Sequence, residues 1–263
     1  MVVKLPLLRL DHRGNAVLIP PHPHGLIHFL GGAFLGMAPQ VVYQRLLEYL
    51  AQQGYAIIAT PFVNTFDHAD IARSLGQRFH RTRLYLEQQG KFDRDLPIFG
   101  LGHSMGCKLL VLLESLDPGR HQGNIFLAFN NYPARRSIPF LDQVLTQVSP
   151  ELDMTVEFSP SPEATLDLAQ QHYATPHSLL IQFQRDDLDE SRAIGAILQQ
   201  RFPQTFRFRV LSGNHLTPLG QSLDWEPGSS FSPLDAVGQW FRQEVYQDLD
   251  QLQGELNQWL QQF

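Results

Sequence analysis

The residues Gly102-His103-Ser104-Met105-Gly106 set a serine between two glycines at a spacing suited to nucleophilic chemistry. A serine at the tip of a sharp strand-to-helix turn keeps its hydroxyl exposed only when small residues flank it, so that the backbone can bend. The flanks predict that setting: Leu96 to Leu101 reads as a buried strand and Cys107 to Leu113 as an apolar helix. A serine hydroxyl also needs a base to take its proton and an acid to orient that base. Two later segments offer them. Phe183-Gln184-Arg185-Asp186-Asp187-Leu188-Asp189 closes a predicted strand with carboxylates, and Gly213-Asn214-His215 follows the last predicted strand. Ser104, Asp186 and His215 are the candidate triad. Asp186 stands first after its strand, where it would be held most rigidly; Asp189, and after it Asp187, remain open as the acid, against N-capping and plain solvation.

Attack of a serine on a carbonyl creates an oxyanion, which must meet backbone N–H groups already aimed at it. Met105, the residue after the serine, is the expected first donor. The second is expected from Leu30-Gly31-Gly32-Ala33-Phe34, where Gly32 or Ala33 would donate, unless the glycine pair serves only close packing against the elbow helix. His103 is expected to pack beneath the turn, and Cys107 to be a small core residue. His22, His24 and His28 have metal-like spacing but no carboxylate or cysteine beside them, so neither a metal nor a cofactor is expected. Phe66-Asp67-His68 reads as a helix cap or a pocket wall.

The elements that must hold these residues follow from hydrophobic patterning. Val2 to Leu10 and Ala16 to Pro20 predict an opening hairpin. Gly25 to Phe29, Tyr55 to Thr60, Leu96 to Leu101, Asn124 to Phe129, Ser178 to Phe183 and Phe206 to Leu211 predict further strands. Helices are expected over Pro39 to Gln53, His68 to Gln89 and Ser191 to Arg201. This alternation predicts an α/β fold with a mostly parallel central sheet and helices on both faces. It breaks over residues 130–177, which are rich in proline and carry short helical stretches at Ile138 to Val148 and Pro162 to Gln171. That segment is expected to be a small cap insertion over the carboxyl edge of the sheet. Residues 234–263 predict a closing helix with Phe241, Val245, Leu249, Leu252, Leu256, Trp259 and Phe263 on one apolar stripe. The stripe packs on the same domain or offers a face to a protein partner or a second copy.

The 263 residues are expected to form one domain, 1–263, with 43% hydrophobic and 17% charged residues excluding a disordered chain. A net charge of -6 and no basic cluster give nucleic acid no footprint. No apolar run approaches the roughly 20 residues of a membrane span. Met1 to Leu10 lacks a cleavage site of small residues and makes a poor signal peptide. The single cysteine fits a reducing compartment, and a soluble, cytoplasmic protein is expected.

With these residues placed, the chain resembles the α/β-hydrolase superfamily, and within it an uncharacterised hydrolase-like family of cyanobacteria and plant chloroplasts. The narrower resemblance rests on residues 27–39 (IHFLGGAFLGMAP), Ala59-Thr60-Pro61-Phe62, Phe66-Asp67-His68, residues 100–108 (GLGHSMGCK), Phe129-Asn130-Asn131-Tyr132 and His215-Leu216-Thr217-Pro218. It spans nearly the whole chain and implies the α/β-hydrolase fold and the triad, but no substrate. Leu30, and the absence of an Asp-x-Arg-Gly type of loop after the Tyr55 strand, depart from esterases of this fold. The expected activity is cleavage of a small-molecule ester or thioester by a serine hydrolase of esterase or lipase type. Ile138, Phe140, Leu141, Val144 and Leu145 in the cap would suit a hydrophobic acyl or prenyl-like group. The alternatives are a non-catalytic binding or assembly protein on the same fold, and a cofactor-free acyltransferase or lyase.

Overall fold

The computed structural model describes residues 9–10, 14–134, 157–219 and 245–263. The strands are β1 (Arg9–Leu10), β2 (Ala16–Leu18), β3 (Gly25–Leu30), β4 (Tyr55–Ala59), β5 (Ile98–His103), β6 (Gly123–Leu127), β7 (His177–Arg185) and β8 (Phe206–Asn214). They form one eight-stranded sheet in the order β1-β2-β4-β3-β5-β6-β7-β8. β2 runs antiparallel to β1 and β4, and every pairing from β4 to β8 is parallel. The alternation of elements predicts this mostly parallel sheet between helices, and the fold is that of an α/β-hydrolase, as the resemblance implies. The four strands β3 to β6 are buried at every position, because helices cover both faces of the sheet.

The helices are α1 (Pro39–Val42), α2 (Gln44–Gln52), α3 (His68–Gln88), α4 (Met105–Leu116), α5 (Pro162–His172), α6 (Ser191–Arg201) and α7 (Val245–Leu260). Alternation along the strands divides the core. Ile27, Phe29, Ile57, Leu101, Ile125, Leu127, Leu179 and Ile181 pack with α2 and α7 on one face. Leu30, Phe126 and Leu180 pack with α3, α4, α5 and α6 on the other, where Leu26 and Ile58 meet Phe79 and Leu86 of α3.

Three boundaries differ from the sequence expectation for local reasons. The helix expected over Pro39 to Gln53 is broken at Tyr43 (φ -111, ψ 16), whose side chain is wholly buried against the loop after β3. β5 starts at Ile98 rather than Leu96, since Pro97 has no N–H to give a ladder and only its carbonyl pairs, with Leu26 N. β6 stops at Leu127 rather than Phe129, because Ala128 turns to φ +51. The strand expected before Arg9, the helix over 138–148 and the start of the closing helix at 234–244 lie outside the described residues.

The stripe on the closing helix is used within the chain. Leu249, Leu252, Leu256, Trp259 and Leu260 of α7 are buried in the main core, and Trp259 and Phe263 pack on Phe99. Of the two readings of this stripe, packing on the same domain describes Leu249 to Leu260, while Phe241 lies outside the described residues and Phe263 is 40% exposed. No helix among the described residues is long and apolar enough to cross a membrane.

Candidate active site

Ser104 links the end of β5 to the start of α4 with φ 55 and ψ -121. A side chain in that region costs on the order of 1–3 kcal/mol and persists only where its surroundings hold it. Here Ser104 N–H bonds Leu127 O at 2.9 Å, and Ser104 O accepts from Cys107 N–H at 3.0 Å. The flanking glycines are required by contact. A Cβ on Gly106 would stand 2.1 Å from Leu30 O, and one on Gly102 would stand 2.8 Å from Cys107 N. The elbow helix and the loop after β3 can therefore meet backbone to backbone.

His215 follows β8 in a turn fixed by two bonds, Leu216 N to Asn214 Oδ1 and Asn214 N to Thr217 Oγ1, each 2.9 Å. Its Nε2 lies 2.9 Å from Ser104 Oγ, and its Nδ1 lies 2.9 Å and 3.1 Å from the two oxygens of Asp186. The Asp186 carboxylate is fully buried and accepts a further bond from Leu188 N. A carboxylate only accepts, so Nδ1 carries the proton and Nε2 faces the serine hydroxyl as an acceptor. Asp189 does different work. It accepts from Ser191 N and Ser191 Oγ at the start of α6. Burial pushes its carboxyl up to about 6, opposed by the Ser191 bonds and reinforced by the nearby Asp186 charge. Asp187 is exposed, and its carbonyl accepts from the Tyr132 hydroxyl at 2.9 Å.

Beneath the turn runs a buried relay. Gly32 N–H donates to Tyr43 Oη at 2.8 Å, Tyr43 Oη meets His103 Nδ1 at 2.8 Å, and His103 Nε2 meets His215 O at 2.8 Å. The His215 carbonyl only accepts, so Nε2 carries the His103 proton and Nδ1 accepts from the tyrosine. Burial lowers His103 to about 3, with the nearby His215 adding to the effect, so its ring is neutral at ordinary pH. One histidine thus ties the loop after β3 to the loop that carries His215. The expectation that Gly32 donates to an oxyanion is corrected, since its N–H is already given to Tyr43. Ala33, next in the chain, lines the pocket with Ser104 and Met105.

That pocket encloses about 230 Å³ and is completed by Asn64, His68, Lys108, Asn130, Asn131, Tyr132, Phe158, Leu188 and His215. Asn130 to Tyr132 and Phe158 are described parts of the segment expected as a cap. Its apolar residues from Ile138 to Leu145 lie outside the described residues. The wall where an Asp-x-Arg-Gly type of loop was missed is built by residues 61–68 paired with 157–161, through Ser159 N to Phe66 O at 2.7 Å and Ala69 N to Ser159 O at 3.1 Å. Within it Asp67 caps α3 by accepting from Asp70 N, while His68 faces the pocket. The cap and pocket-wall readings of that tripeptide therefore both describe the structure. His24 and His28 are engaged apart, on Gln53 O and on His121, and Cys107 is a core residue.

Sequence reasoning missed Tyr43 and Lys108. Tyr43 gave no signal, because a tyrosine in an amphipathic helix looks like ordinary packing. Lys108 did give one: it is the only basic residue in the apolar run from Met105 to Leu116, where a buried charge demands a reason.

The family model described as "Protein of unknown function (DUF1350)" matches residues 10–262. None of the curated proteins matches the sequence. Among solved structures, the fold is similar to fluorophosphonate-binding serine hydrolase F of Staphylococcus aureus, at 17% identity and TM-score 0.54, covering 79% of this chain and 89% of that one. It is similar to a monoacylglycerol lipase of Paleococcus ferrophilus, at 15% identity and TM-score 0.51, covering 81% and 91%. A thioesterase domain from the curacin biosynthetic pathway matches at 15% identity and TM-score 0.51, covering 82% and 96%.

Proposed function

The chain belongs to the DUF1350 family, whose description assigns no function, and from the geometry of its site we propose that it is a serine hydrolase cleaving a small-molecule ester or thioester. The observation that carries this is the unbroken line from the Asp186 carboxylate through both nitrogens of His215 to Ser104 Oγ, at 2.9 Å on each side of the ring. Ser104 attacks the carbonyl carbon while His215 Nε2 takes its proton, and the Asp186 carboxylate steadies the imidazolium. The oxyanion is received by the N–H groups of Met105 and Ala33, and the proton on His215 passes to the leaving oxygen or sulfur. Water, deprotonated by the same histidine, then releases the acyl group and restores the serine. Asn130 to Tyr132 and Phe158 wall the substrate pocket over Ser104, and no cofactor enters the cycle.

A fluorophosphonate probe tests this reading. Wild-type protein is expected to be labelled at Ser104, and Ser104→Ala to lose both labelling and ester turnover while its thermal unfolding stays nearly unchanged. Labelling that survives in Ser104→Ala moves the nucleophile elsewhere. Wild type that neither labels nor turns over any ester or thioester in a broad panel is a binding protein on this fold.

A further inference from the structure

The pocket wall facing Ser104 carries polar groups that the hydrolysis above does not use. Lys108 lies one helical turn after Ser104 on α4 and is buried to 1% exposure. Its ammonium reaches Pro160 O at 3.2 Å and stands 5.5 Å over the Phe158 ring. No carboxylate pairs with it within 4 Å among the described residues. With one N–H on Pro160 and one side on the aromatic face, it keeps a donor to give.

Two acceptors on the same pocket have no donor among the described residues. Asn131 Nδ2 donates to Pro162 O at 2.8 Å, which identifies the other atom as oxygen, and that Oδ1 is buried with no hydrogen-bond partner among the described residues. Asn64 Oδ1 accepts from His68 Nε2 at 3.3 Å, which leaves His68 Nδ1 as an acceptor, also buried and without a partner among the described residues. Both side chains line the pocket, and His68 is stacked on Phe158, 4.1 Å between ring centroids. Burial, with the charge of Lys108 adding to it, holds His68 down to about 3, so this ring is a neutral acceptor.

A ligand for this wall must accept from an ammonium and donate to an amide oxygen or an imidazole nitrogen. A plain alkyl chain would leave all three polar groups dry, which is costly. A carboxylate or phosphate would answer only the lysine. The lysine charge is already faced by Glu157 and Glu190, whose carboxylates are fixed by Ala134 N, Phe158 N and Asn131 N, and by the exposed Glu163. A hydroxyl both donates and accepts.

We propose that Lys108, Asn131 and His68 form a subsite for a hydroxyl group of the substrate next to the scissile carbonyl, so that the substrate class is a hydroxylated ester or thioester. The proposal rests on the serine-hydrolase reading and adds to it which acyl or alcohol groups are preferred. A site built to bond a hydroxyl rejects the analogue without it, because its own buried groups then stay unpaired.

The test compares matched esters: para-nitrophenyl butyrate with its β-hydroxybutyrate and hemisuccinate counterparts, and ethyl butyrate with hydroxyethyl butyrate. The hydroxylated member of at least one pair is expected to show kcat/KM higher by about tenfold or more, with the hemisuccinate no better than the butyrate. In Lys108→Met and in Asn131→Leu that ratio is expected to fall toward one. The subsite is overturned by a plain ester that matches its hydroxylated partner in both pairs, by preference for the hemisuccinate, or by a ratio unmoved in both variants. If Lys108→Met does not fold, Asn131→Leu and the wild-type ratio still decide. Fluorophosphonate labelling separates the two failures. A labelled wild type without hydroxyl preference removes the subsite alone, while an unlabelled, inactive one removes the hydrolase reading and the subsite with it.

Discussion

Asp186 and Asp189 lie three positions apart in one loop, yet their surroundings assign them different tasks. The buried carboxylate of Asp186 sets both oxygens on His215 Nδ1, whereas Asp189 gives its oxygens to the first turn of α6. If Asp186 orients the base, Asp186→Asn should lower kcat roughly ten-thousand-fold, because an amide cannot hold the tautomer that leaves Nε2 free to accept. Asp189→Asn keeps an oxygen for the Ser191 N–H and should change kcat little. Steady-state kinetics on a chromogenic ester decides, and a larger loss in Asp189→Asn would exchange the two assignments. The chain order of the candidate triad was legible in the sequence because each member sits at the end of a strand. Its place directly after the strand favoured Asp186 as the acid but left Asp189 and Asp187 open, since three aspartates share seven residues and only burial and partners distinguish them. Tyr43 was invisible for the opposite reason: its role comes from a contact with Gly32 and His103 that no local pattern records.

The elements show what periodicity can and cannot say. The spacing of apolar residues on α7 was readable, but not what lay opposite it, because an amphipathic stripe has the same pattern whether it faces its own core or a partner. The structure supplies the missing half: Trp259 lies over Gly123, where a Cβ would approach its ring to 2.7 Å, and edges against Phe99 of β5. Trp259→Ala would leave a cavity between α7 and the sheet, and should lower the unfolding free energy by about 3–5 kcal/mol. Urea denaturation measures the loss, and size-exclusion chromatography should show no change in association state. A variant that kept its stability but altered its self-association would turn the stripe outward. The break at Tyr43 and the late start of β5 at Ile98 follow the same rule. Local sequence gave the type of each element, while its limits were set by one side chain or one missing N–H.

At the scale of the whole molecule, a mostly parallel sheet between two helical layers followed from the alternation of strands and helices. The pocket followed only in part: the tripeptide at His68 and the segment from Asn130 were read as possible walls, but that Asn64, His68, Asn130 to Tyr132 and Phe158 meet around one site is settled only when the chain has closed on itself. The same closure buries several histidines as neutral rings, and this gives the fold an acid limit. His103 and His68 are each lowered by burial to about 3, and His28 is lowered well below its ordinary value. An unfolded histidine titrates near 6.5. Below that pH the unfolded chain therefore binds protons that the folded chain refuses, and stability falls as pH drops toward the folded values. Above about pH 7 neither state is protonated at these sites, and their contribution is fully present. Each such ring should cost about 1.4 kcal/mol per pH unit across the window. His103→Gln retains a donor for His215 O and an acceptor for Tyr43 but cannot titrate. Between about pH 6 and about pH 4, its stability should therefore decline less steeply than that of wild type by about one proton's worth, 1.4 kcal/mol per pH unit. Urea unfolding followed at a series of pH values reads the two slopes directly. Parallel curves would mean that His103 takes up its proton in the folded protein, and that the link between the loop after β3 and His215 opens in acid before the fold does.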